Sequence, residues 1–156
     1  MFLSGDLPYT AWCRWGGKAT LESYGVTPCS DDASEATVSR VRNRFNKAIP
    51  KSHISFFTSL KWIHLEANYL FVHAGIRPGL GVEEQQTEDL IFIREEFLSS
   101  PVTIKETVVH GHTIFEKPHV RDKSIGIDTG AYKTGILTAL AIDDNGTQFL
   151  ETTLAP

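Results

Sequence analysis

The sequence is short of cysteine, of positive charge and of long apolar runs. Its two cysteines, Cys13 and Cys29, lie 16 positions apart and make no CxxC pair, which removes the common zinc and thioredoxin-like spacings. One disulfide between them is possible. However, the opening MFLSGDLPYT has no basic region followed by an apolar stretch, so the expectation is reduced thiols in a cytoplasmic chain. Fifteen Lys and Arg stand against nineteen Asp and Glu, a net charge of -4, which argues against a nucleic-acid backbone as partner. The longest apolar runs, such as LTALAI (Leu137 to Ile142), fall far short of a bilayer span, so no membrane partner is expected. There is no internal repeat, low-complexity tract or linker. Disorder is excluded too, because 41% of residues are hydrophobic and 22% charged.

What is present suits one domain over residues 1–156 with a real core. Helices come first. GKATLESYG fits a short helix ending at Gly25, and SEATVSRVRNRFNKAI a longer one capped by Ser34, with Val38, Val41, Phe45 and Ile49 on one face. Pro50 opens a third, KSHISFFTSL, striped by Ile54, Phe57 and Leu60. From Lys61 the texture becomes strand-like. KWIHLEANYLFVHAG reads as two strands about a turn at Ala67-Asn68, and one helix is predicted over 87–97. Strands ETVVH, SIGID, ILTALAID and GTQFLETTL follow. GHTIFEKPHVRDK reads as a loop, and Asp144-Asn145-Gly146 as a hairpin turn. Mostly antiparallel strands in one sheet are predicted, with an unpaired edge and an uncovered apolar face.

Several positions carry chemistry. In YLFVHAGIRPG (Tyr69 to Gly79) a strand runs straight into His73 at a turn containing Gly75 and Gly79. That is a way to hold a ligand rigidly at a sheet edge; alone, it is better read as a histidine closing a strand end. TVVHGHT (Thr107 to Thr113) repeats the pattern, with His110 and His112 flanking Gly111. Across a glycine turn the two need not point the same way, so one can ligate and the other support it. Imidazole suits zinc, iron, manganese or nickel. Asp128 ends SIGID, and two readings stand equal: it orients a histidine through the second ring N–H, or it starts a turn. Arg94, in DLIFIREEFL, either pairs with Asp89, Glu95 or Glu96 or grips an anion; spacing alone favours the salt bridge. His53, His64 and His119 show no partner pattern, and Trp12, Trp15, Phe56 and Phe57 read as core.

Taken together, YLFVHAGIRPG, DLIFIREEFL, VVHGHT and IDTGAYKTGILTAL resemble the second half of a bacterial serine/threonine phosphoprotein phosphatase of the calcineurin-like metallophosphoesterase superfamily. WGGKATLESYGV and IPKSHISFFTSL are similar to the stretch between such motifs, so the likeness covers nearly the whole chain. The resemblance implies an α/β (α+β) fold, the C-terminal half of a two-sheet β-sandwich flanked by helices. It implies divalent metals (manganese, iron or zinc) at the carboxyl edge. His73 and His112 would be ligands of the second metal, and Arg94, two residues after Phe92, the catalytic grip on the substrate phosphate. Tyr132 would be a catalytic aromatic near that phosphate, with His110 and Asp128 supporting the ligands.

The GDxHG, GDxxDRG and GNHE motifs that supply the other ligands in that family do not occur. The only Gly-Asp pair, Gly5-Asp6, is followed by Leu-Pro-Tyr, and there is no Asn-His pair. The expectation is therefore a partial domain over 1–156, missing an N-terminal half, with the second-metal site only partly present. Two neutral imidazoles hold a divalent ion weakly. A phosphatase by descent, acting on a phosphorylated protein or small phosphoester but with little activity alone, is the expected function. A non-catalytic module docking a protein or phosphorylated ligand through Arg94 and Arg77 is the alternative. An amidohydrolase-like barrel using the His110-His112 pair would need repeated strand–helix units, which are absent. If His73 and His112 share an ion, their facing nitrogens should lie within about 4–5 Å.

Overall fold

The structure is a computed structural model that describes residues 3–5 and 7–152. Asp6, and residues 153–154 of the last predicted strand, lie outside the described residues. The expectation of one domain meets two compact units, Met1–Leu60 and Lys61–Pro156. The division falls at Lys61, where helical sequence gives way to strand-like sequence.

The first unit contains α1 (Tyr9–Cys13), α2 (Gly17–Ser23), α3 (Glu35–Ala48) and α4 (Lys51–Ser59). Its core forms around α3. Val38, Val41 and Phe45 recur at helical spacing and are buried with Ile49, Tyr9, Leu21 and Val26. Ser34 occupies the N-cap, but its hydroxyl lies 3.2 Å from the Thr37 hydroxyl and caps no backbone N–H. Pro50, which has no N–H to leave unpaired, stands at the N-cap of α4. Of the predicted stripe of α4, Ile54 packs partly buried against this core, whereas Phe57 and Leu60 are exposed. Cys13 and Cys29 are free thiols.

The second unit holds β1 (Ile63–Glu66), β2 (Tyr69–Val72), a 3-10 turn (Val82–Glu84), α5 (Thr87–Phe92), α6 (Glu95–Leu98), β3 (Thr107–His110), β4 (His119–Arg121), β5 (Ser124–Gly126), α7 (Ala131–Thr134), β6 (Thr138–Asp143) and β7 (Gly146–Glu151). Five strands form one sheet in the order β1-β2-β3-β5-β4, and β6-β7 form a separate hairpin. The pairings β2–β3 and β3–β5 are parallel; β1–β2, β4–β5 and β6–β7 are antiparallel. Three of the five pairings are antiparallel, as predicted, but the prediction of one sheet is corrected: there are two, and the centre of the larger is parallel. Residues 73–106 and 111–123 are crossovers long enough to return the chain in parallel. YLFV and TVVH, apolar without alternation, are the kind of strand that lies inside a parallel sheet.

The predicted helix over 87–97 is two helices, broken at Ile93-Arg94. Leu90, Ile93 and Phe97 pack on Leu70, Val72 and Val108 of the sheet. A Cβ on Gly75 would come within 2.5 Å of the Phe97 ring, so only glycine lets the chain after β2 pass beneath that helix. Arg121 donates to the carbonyls of Phe97, Leu98 and Ser100 at and just beyond the end of α6. Among the described residues, no helix is long and apolar enough to cross a membrane.

Candidate functional site

Three parallel strands, β2, β3 and β5, end at the same edge of the sheet. Each releases a polar residue just beyond its end: His73, His112 and Asp128 respectively. The ladder continues into these loops. Gly111 donates its N–H to the His73 carbonyl at 2.9 Å, and Ile127 donates to the His110 carbonyl at 2.9 Å. The loops are thus held by backbone bonds, and the side chains project from a fixed frame.

His73 Nε2 lies 3.2 Å from His112 Nδ1, with ring centroids 5.0 Å apart. Two nitrogens bound at about 2.1 Å to one ion, at angles between a right angle and the tetrahedral angle, sit roughly 3.0–3.4 Å apart. His112 is reached by an unusual backbone. Its φ is 65°, and the Thr113 N–H bonds the Gly111 carbonyl at 2.7 Å across it. This is a γ-turn with positive φ, the rarer and more strained kind, on a residue with a side chain. Burial lowers the pKa of His112 below its ordinary value, and the Arg94 guanidinium and the neighbouring His73 ring lower it further; the Asp128 carboxylate and the Phe92 backbone oppose them. The neutral imidazole that a metal requires is the favoured form.

Arg94 stands beside this turn. Its Nη1 donates to the His112 carbonyl at 3.0 Å and to the Thr113 hydroxyl at 3.2 Å. The salt bridge that spacing favoured for Arg94 belongs to Arg77. Arg77 Nε donates to Asp89 at 2.7 Å and its Nη1 to Glu96 at 2.9 Å. Among the described residues Arg94 forms no ion pair. The helix breaks at Ile93-Arg94, which takes Arg94 off the helix that carries Asp89, and Arg77 already holds both Asp89 and Glu96.

The other candidates are placed differently. His110 is 2% exposed, bonded to Ser124 through Nε2 at 3.2 Å and set edge-on to Phe97. Its pKa is lowered by burial above all. Its ring makes no hydrogen bond to His112. Asp128 Oδ1 accepts the Gly130 N–H at 2.9 Å, the geometry of a turn starter, and no histidine N–H reaches it in the structure. Tyr132 is 87% exposed and outside the cavity lined by His73, His110, His112 and Asp128, which measures about 350 Å³. Sequence reasoning missed Thr113 and the pairing of Arg77 with Asp89 and Glu96, although both residues lie inside the motifs it singled out. Phe92, edge-on to His112 at 6.3 Å, was named only as a neighbour of Arg94.

The imidazole pair suits two coordination positions of a divalent ion. Among the described residues, no group of three or more His, Cys, Asp or Glu side chains could complete such a site.

No family model matches the chain, and no curated protein matches it. Among solved structures it is similar to the crystal structure of a candidate diadenosine tetraphosphatase. The TM-score is 0.55 at 18% identity, over 92% of this chain and 72% of that one. At that identity the likeness is one of fold: a mixed sheet with helices, the α/β class expected from the sequence.

Proposed function

We propose that this chain carries part of a metal-dependent phosphoester hydrolase site, of the kind its motifs resemble in serine/threonine phosphoprotein phosphatases. The observation that carries the reading is the His73–His112 pair, its nitrogens 3.2 Å apart, opening beside an arginine that forms no ion pair among the described residues. His73 Nε2 and His112 Nδ1 would hold the ion, manganese, iron or zinc. When bound, a divalent ion supplies Lewis-acid polarisation of a phosphoryl oxygen and an acidified water. Arg94 keeps Nη1 on the His112 turn and has its remaining N–H groups for a phosphate oxygen. The phosphate group of a phosphorylated protein or a small phosphoester fits this chemistry.

The same donor set argues that the isolated chain turns over poorly. Two neutral ligands leave an ion's charge uncompensated, and no described carboxylate joins them. The alternative, a non-catalytic module gripping a phosphorylated ligand through Arg94 and Arg77, loses one of its two cations, since Arg77 is committed to Asp89 and Glu96.

Titration with Mn²⁺, followed by NMR of the histidine rings, tests the reading. The His73 and His112 signals should broaden first and together, those of His53 and His64 last. His112→Ala should remove the effect at His73. Hydrolysis of p-nitrophenyl phosphate with Mn²⁺ should stay near background. If the two rings ignore millimolar Mn²⁺, the shared site does not exist. Turnover by the unassisted chain that is lost in His73→Ala would show a site more complete than the one proposed.

A further inference from the structure

Arg77 sits in a second cavity, about 430 Å³, whose lining includes Asp89, Phe92, Arg94 and Glu96. Four carboxylates, those of Glu88, Asp89, Glu95 and Glu96, and two guanidinium groups therefore share one small space, and the pairing among them is a choice. The structure shows which is made. Arg77 meets both oxygens of Asp89, through Nε at 2.7 Å and Nη2 at 2.5 Å, and reaches Glu96 through Nη1 at 2.9 Å. A planar fork can serve three oxygens in this way; a lysine ammonium cannot. Asp89 is the more enclosed acid, its side chain 13% exposed against 64% for Glu96. Without Arg77 it would face the cavity unpaired, and the remaining cation on that lining is Arg94.

We propose that Arg77 is a positioning residue for Arg94: by occupying Asp89 and Glu96 it leaves the Arg94 guanidinium uncommitted and directed at the His112 turn. The inference rests on Arg94 as the phosphate grip. It assigns Arg77 a role without substrate contact. The loop around Arg77 does not depend on that side chain for its shape. The Arg77 backbone N–H donates to Gln85 Oε1 at 2.7 Å, and the Arg77 carbonyl accepts from Gln85 Nε2 at 3.1 Å. Arg77→Gln keeps both contacts, so the variant should fold.

The experiment compares wild type, Arg77→Gln, Arg77→Gln/Arg94→Gln and Arg77→Gln/Asp89→Asn/Glu96→Gln by NMR. One readout is the titration of the Asp89 carboxyl. In wild type it should titrate below the ordinary carboxylate range, and in Arg77→Gln it should remain low because Arg94 turns to it. In Arg77→Gln/Arg94→Gln it should return to the ordinary range. The other readout is the shift of the Arg94 Nε–H signal on adding inorganic phosphate. Apparent affinity should fall about tenfold in Arg77→Gln and recover in the variant without the two acids, a recovery that lost packing would not give. Asp89 returning to the ordinary range in Arg77→Gln alone would overturn the inference and leave the phosphate reading standing. So would phosphate affinity that fails to recover in the triple variant. No response of Arg94 to phosphate in wild type, with Asp89 still low in Arg77→Gln, would overturn the phosphate reading and leave Arg77's control of Arg94 standing.

Discussion

His112 holds φ at 65°, where an L side chain costs roughly 1–2 kcal/mol and glycine costs little. His112→Gly should be more stable than His112→Ala by about 1 kcal/mol in denaturant titration, although both remove the imidazole. A second effect at this scale comes from Asp89. Hydrogen bonds from Arg77 hold its carboxyl below the ordinary value, against burial, which raises it, and the Arg77 charge adds to the lowering. A carboxyl depressed in the folded state adds stability that is present above its unfolded value near pH 4 and lost as pH falls through the folded value. Asp89→Asn should thus destabilise the protein at pH 7 and make little difference near pH 2, read by denaturant midpoints at the two pH values. The histidines could be found from sequence because each ends an apolar strand at a glycine turn. The pairing of Arg94 could not, because the spacing argument assumed one continuous helix through Ile93.

The break between α5 and α6 gives each helix a separate task. α5 ends where the chain turns to expose Arg94, and α6 drives Phe97 into the sheet, 2% exposed, over Gly75. Phe97→Ala should cost about 3–5 kcal/mol, whereas Tyr132→Ala, on the exposed α7, should stay within about 0.5 kcal/mol. Equilibrium unfolding of both variants checks the contrast. The buried face of α3 was legible, since four apolar residues at helical spacing predicted four buried residues, but the cap was not, because the Ser34 hydroxyl caps no backbone N–H. β4 was not, because three residues, His119–Arg121, carry too little pattern to stand out from a loop, and their strand character comes from pairing with β5. α4 shows the reverse case, an apolar stripe with no buried residue.

At the scale of the molecule, the change of texture at Lys61 marks the boundary between two units. Strand order was beyond the sequence, since pairing partners are chosen by crossovers and not by the strands themselves. The parallel centre of the sheet has a further consequence, in the order of folding events. Tyr69 pairs with Thr107, and His73 meets His112 across a separation of 39 residues, while β6 and β7 meet across a turn at Asp144-Asn145. Closing the long loops is entropically costly before any contact offsets it, whereas a hairpin forms in roughly 1–10 μs. The hairpin should be an early event and the imidazole pair a late one. Substitutions at His73 or His112 should then leave the refolding rate nearly unchanged and act on unfolding, while Asn145→Ala should slow refolding in stopped-flow measurements. A nascent chain would pass through most of its folding before it could hold an ion at that edge.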